Sequence, residues 1–73
     1  MPTATTTSAA DLQAALRLLY AERALARERG LDRNRDYADR LEADIAFHLH
    51  AYVGAAVTEI ATLRGGLSGR LSG

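Results

Sequence analysis

Two long runs of residues with helical spacing dominate the hydrophobic pattern of the chain. From residue 9 to residue 29 apolar side chains recur at every third or fourth position, and neither Gly nor Pro interrupts them. We therefore predict one helix over about 9–29. A second run predicts a helix over about 34–64, which ends before Gly65 and Gly66. The pattern indicates an all-α fold, an antiparallel hairpin of two helices.

The residues at the predicted helix ends support this interpretation. Ser8 followed by Asp11 resembles a capping box at the start of the first helix. Gly30 lies where a residue in the left-handed conformation commonly ends a helix. Either Asp32 or Asn34 is suited to cap the second helix. The hairpin turn is therefore predicted around residue 31.

The segments outside the hairpin carry few structural signals. Residues 1–8 are small and rich in Thr, which predicts a flexible lead before the hairpin at 9–64. Residues 65–73 read GGLSGRLSG, which predicts a flexible Gly/Ser/Leu tail. In this tail Leu67 and Leu71 are the candidate docking residues for a groove on a larger protein.

Each predicted helix has an apolar side that would face the other. On a helical wheel the first helix gathers a wide apolar face. It consists of Leu12, Ala15, Leu16, Leu18, Leu19, Leu25 and Ala26. On the second helix a 4-3-4 rhythm typical of a helix–helix seam is formed by Leu41, Ile45, Leu49, Tyr52, Ala56 and Leu63.

The second helix has a further apolar stripe almost opposite that seam. Its members are Ala43, Phe47, His50, Gly54, Val57 and Ala61. The first helix is roughly 30 Å long, so it reaches only about Tyr52 and leaves residues 53–64 without a partner. We expect a homodimer that forms a four-helix bundle, or a larger helical oligomer. The predicted interface residues are Ile45, Phe47, Leu49, His50, Tyr52, Gly54, Val57, Ile60 and Ala61.

The composition limits the ways in which so short a chain can be stabilised. With 73 residues and no Cys, it has neither disulfides nor thiolate metal ligands. Small domains of this size commonly depend on oligomerisation or a metal. Nine basic residues balance nine acidic ones, which argues against a general polyanion binder. The bias towards Arg and Ala is typical of a GC-rich bacterial genome.

The first residues contain no basic segment followed by an apolar core, so we predict no secretory signal and expect a cytoplasmic protein. We do not expect a membrane partner, because Glu59 and two histidines interrupt the apolar stretch of the second helix. A small RNA- or DNA-binding regulator is one alternative. It would use the Arg-rich turn, Arg23, Arg27, Arg29, Arg33 and Arg35, although acidic residues interleave with these arginines.

The two histidines are the residues most suggestive of chemistry. His48 and His50 point about 200° apart on a helix, so they cannot bind one metal ion within a single chain. The simpler interpretation is that His48 hydrogen-bonds to Asp44 and His50 belongs to the interface. The alternative is a carboxylate–histidine metal site in a ferritin-like or storage bundle, with candidate ligands Glu22, Asp44, His48 and Glu59.

No activated nucleophile, phosphate-binding loop or oxyanion hole is recognisable in the sequence. We therefore expect no enzymatic activity and no cofactor. The sequence favours a small interaction or assembly module, such as an adaptor, regulatory or scaffold subunit. It would act by homo-oligomerisation and by docking a larger protein through the second helix or the tail.

Overall fold

The computed structural model describes residues 7–72, with side chains as far as residue 66. Helix α1 is Ala9–Glu28, a short 3-10 turn spans Leu31–Arg33, and helix α2 is Arg35–Ser72. The two helices pack against each other, and the described residues contain no strand. The predicted all-α hairpin is therefore confirmed. Most of the predicted N-terminal lead lies outside the described residues.

Both helices are capped by residues that the sequence identifies as candidates. The Ser8 hydroxyl accepts a hydrogen bond from the amide of Asp11 at 3.1 Å, which caps α1. Gly30 takes the left-handed conformation with φ of 74°, and its amide donates to the carbonyl of Arg27. The Asn34 side chain, rather than Asp32, accepts from the amide of Tyr37 at 3.1 Å and caps α2.

A small core lies between the two helices. Leu16 packs with Leu41 and Ile45, and Tyr37 and Tyr52 lie partly buried against this cluster. The buried apolar residues of the described chain are Leu12, Leu16, Ala26, Leu41 and Ile45. None of them is completely removed from solvent. The hairpin therefore has a single seam and no enclosed core.

The predicted apolar faces were too wide. Leu18 is 74% exposed and Leu25 is about half exposed, whereas Leu16 is 5% exposed. Leu18 points about 200° away from Leu16 around the helix, so one neighbouring helix cannot cover both. On α2 the prediction was also wrong for Leu49 and Leu63, which remain largely exposed.

The predicted end of α2 at residue 64 was also wrong. The helix has 38 residues and continues through Gly65 and Gly66 to Ser72. Each of these glycines costs about 1 kcal/mol relative to Ala in a helix, but neither adopts the positive φ that ends a helix. No described helix combines the length and the apolar character needed to cross a bilayer. The side chains of Leu67 and Leu71 lie outside the described part of the chain.

Helix α1 reaches further along α2 than the predicted limit near Tyr52. The amide of Ala9 donates a hydrogen bond to the carboxylate of Glu59 at 2.8 Å. The cross-helix pair Arg23–Glu42 is centred on the bond between Asp32 and Arg33, so the pivot lies beyond Leu31. Helical side chains also lean towards the helix N-terminus, which brings the Glu59 carboxylate back towards α1. The unpartnered part of α2 begins after Glu59.

Replacing Leu16 by Ala tests whether this single seam holds the hairpin together. Loss of a buried Leu side chain costs about 2–5 kcal/mol, so the urea midpoint of unfolding should fall sharply. Leu18→Ala is the matched control, since Leu18 lies on the same helix and is 74% exposed. Its effect should stay within about 0.5 kcal/mol. Equal losses in circular-dichroism unfolding curves would contradict the seam described above.

Candidate interaction surface

The side of α2 that faces away from α1 lacks formal charge over most of its length. Between residues 43 and 63 the charged residues are Asp44 and Glu59. Glu59 turns towards α1, where it accepts from the amide of Ala9. Asp44 lines a shallow cavity between the helices that Glu22 also lines. Both charges therefore lie on the α1 side or at its edge, the reverse of an ordinary amphipathic surface helix.

We define the outward face of α2 as the residues of this charge-free arc. They are Ala43, Ala46, Phe47, His50, Val53, Gly54, Val57, Ile60 and Ala61, and all are exposed. Phe47 is 68% exposed and Val57 is 60% exposed. Given these fractions, the face presents apolar surface on the order of 500 Å², as large as the largest patch on a typical monomer. His50 is its one polar member.

Gly54 lies in the middle of the outward face, and nothing in its own chain requires a glycine there. A Cβ atom built at this position meets no atom within 4 Å. A glycine inside a helix costs about 1 kcal/mol relative to Ala. The hairpin therefore gains no stability from the missing side chain, whereas another molecule can approach the backbone of α2 closely at this position.

A shallow apolar depression lies at the C-terminal end of the outward face. It is open to solvent, and its lining residues are Val57, Ile60, Ala61 and Arg64. The lining is mainly aliphatic, with the Arg64 guanidinium as its one charged group. Such a depression is suited to an apolar side chain.

The predicted interface residues divide between the two sides of α2. Phe47, His50, Gly54, Val57, Ile60 and Ala61 lie on the outward face. Ile45 is buried in the hairpin core, Tyr52 packs against that core, and Leu49 lies half exposed at its edge. Sequence reasoning missed Val53, which is more than half exposed. Its spacing of four residues from both Leu49 and Val57 was the signal that could have identified it.

The two histidines have separate environments, as their helical spacing predicts. The His48 imidazole Nδ1 lies 2.7 Å from the backbone carbonyl of Asp44 and donates to it. The predicted partner residue was therefore right, but the acceptor is the main chain. The His48 ring also meets the Phe47 ring edge to face, with centroids 5.4 Å apart. His50 is exposed on the outward face.

The four candidate metal ligands are dispersed along the hairpin. Glu22 accepts a hydrogen bond from the Tyr37 hydroxyl at 2.7 Å. This hydrogen bond, together with desolvation and the negative charge of Glu22, raises the pKa of Tyr37. Within the described residues no three His, Cys, Asp or Glu side chains lie close enough to hold a metal ion. A shared metal would therefore require residues from a second copy of the chain.

The arginines near the turn are partly engaged within the hairpin. Arg23 forms an ion pair with Glu42 at 3.2 Å, in which both side chains remain partly exposed, and its guanidinium stacks over the Tyr20 ring. The Arg33 guanidinium lies beside the backbone of Gly30. An exposed ion pair of this kind contributes little stability.

Comparisons of the chain with protein-family models, with curated proteins and with solved structures find no match.

Replacing Glu59 by Ala tests its role as a cap for α1. The Ala9 amide is one of the unpaired donors at the helix N-terminus, where a carboxylate is favourable. Removal should destabilise the hairpin by about 0.5–1 kcal/mol and accelerate hydrogen exchange of the Ala9 amide measured by NMR. The loss should not depend on protein concentration, because the contact is made within one chain.

Asp44→Ala is the control for this experiment. It removes a carboxylate from the same helix, one that makes no side-chain hydrogen bond with residues 7–66. Its effect on exchange at Ala9 should be negligible. If both variants protect the Ala9 amide equally well, Glu59 is not the cap.

Proposed function

We propose that the chain is a non-enzymatic assembly module that self-associates through the outward face of α2. In this role it serves as an adaptor, regulatory or scaffold subunit. The single observation that carries the proposal is the charge-free outward face, on which Phe47 and Val57 are each more than half exposed. Contiguous apolar surface of this size on a small protein marks an interaction site.

A second copy of the chain is the partner that best fits this surface. Its defining residues carry no formal charge that would select an oppositely charged partner, with Arg64 only at its C-terminal end, and they are those of a helix–helix contact. Two copies would bury about 1,000 Å² in total, at the lower limit for a specific interface. A hairpin with five buried side chains among residues 7–66 also gains the most from additional buried area.

Replacing Phe47 by Glu tests the proposal directly. The change places a charge near the N-terminal end of the outward face, where burial in an apolar contact is unfavourable. Wild-type protein at micromolar concentration should have at least twice the chain mass by light scattering, and Phe47→Glu should have the mass of one chain. Ala24→Glu places the same charge at an exposed position on α1 and should leave the mass unchanged. A well-folded wild-type monomer would overturn the proposal.

A further inference from the structure

The outward face of α2 carries a protruding ring at one end and a depression at the other. Phe47 is 68% exposed, and the apolar depression is lined by Val57, Ile60, Ala61 and Arg64. The two features lie roughly 20 Å apart along the helix axis. Phe47 therefore cannot enter the depression of its own chain, and a Phe47 ring that fills it must come from a second copy.

We infer that two copies pair antiparallel along α2, with Phe47 of each copy seated in the apolar depression of the other. This inference rests on the proposed self-association and specifies its geometry. The antiparallel arrangement places the two-fold axis at the level of residue 52, next to Val53. It also brings His50 of each copy over Gly54 of the other, where a Cβ would meet open space. Large side chains thereby face small ones at both positions, as close packing requires.

In a parallel pair, each residue of the outward face would meet the same residue of the second copy. Phe47 would meet Phe47, and the two depressions would face each other unfilled. Two glycines at position 54 would leave a gap between the helices, and two His50 side chains would lie side by side. Gaps of this kind forfeit van der Waals contact on both helices, so the size pattern of the face favours the antiparallel arrangement.

The residues at the edges of the antiparallel contact are also compatible. Asp44 at one edge falls between the levels of Thr58 and Thr62 of the second copy, and the Thr58 hydroxyl can donate to a carboxylate. Arg64 at the rim of the depression lies near the incoming ring of Phe47, where a guanidinium is attracted to the aromatic face. No pair of like charges is brought together around Val53.

Single cysteine variants distinguish the two arrangements, because the natural chain contains no Cys. Under mild oxidation, two chains of the Val53→Cys variant should form a disulfide with each other, which doubles the mass on a non-reducing gel. Ala43→Cys and Ala61→Cys should each remain uncrosslinked alone but crosslink when mixed, since the thiols then lie at matching levels. These two variants keep Phe47 in place. Ala24→Cys on α1 measures crosslinking by random collision.

Each outcome decides a different claim. Self-crosslinking of Ala43→Cys and of Ala61→Cys, with no gain on mixing, would establish parallel pairing and overturn the inference. Crosslinking no faster than the Ala24→Cys control, in a protein that light scattering shows to be a dimer, would place the contact on another face and also overturn it. A monomeric wild-type protein would instead overturn the proposed function itself.

Discussion

A helix packed against a single neighbour can bury only one side, and this constraint determines most features of the hairpin. The seam centred on Leu16, Leu41 and Ile45 uses the side of each helix that faces the other. Apolar residues elsewhere on the same helices, such as Leu18 and Phe47, lie away from this seam and remain mostly exposed. In a domain of this size the buried surface barely offsets the conformational entropy lost on folding. Any further burial of these side chains requires contacts beyond the seam between α1 and α2.

Polar contacts across the seam set which residues are left facing outward. The Arg23–Glu42 pair lies near the turn, and the Glu59 carboxylate meets the Ala9 amide at the open end. Neither contact contributes much energy where it is exposed, but together they oppose rotation and sliding of α2 against α1. Because successive residues are rotated by about 100°, even a one-residue change of register would turn part of the outward face of α2 towards α1.

The sequence correctly predicted the features that depend on residues close together along the chain. It did not predict the features that depend on contacts between distant residues. Ser8, Gly30 and Asn34 could be assigned because capping is a local interaction. The exposure of Leu18 could not be predicted in this way, because periodicity identifies apolar positions but does not show how many neighbouring helices cover them. Contact between Glu59 and Ala9 depends on the pivot of the turn and on the lean of a side chain, and neither can be read from spacing. The outward face itself was largely predictable, because its stripe lies opposite the seam.

The placement of Gly54 connects the stability of the hairpin to its proposed association. A helix that acted alone would be more stable with Ala at this position by about 1 kcal/mol, and no atom of the described residues would obstruct the added methyl group. The exposed Phe47 ring is likewise unfavourable in water. Both residues lower the stability of the isolated hairpin, and both become favourable if a second helix covers them. Folding and association are then linked by mass action, so the stability of the protein rises with its concentration.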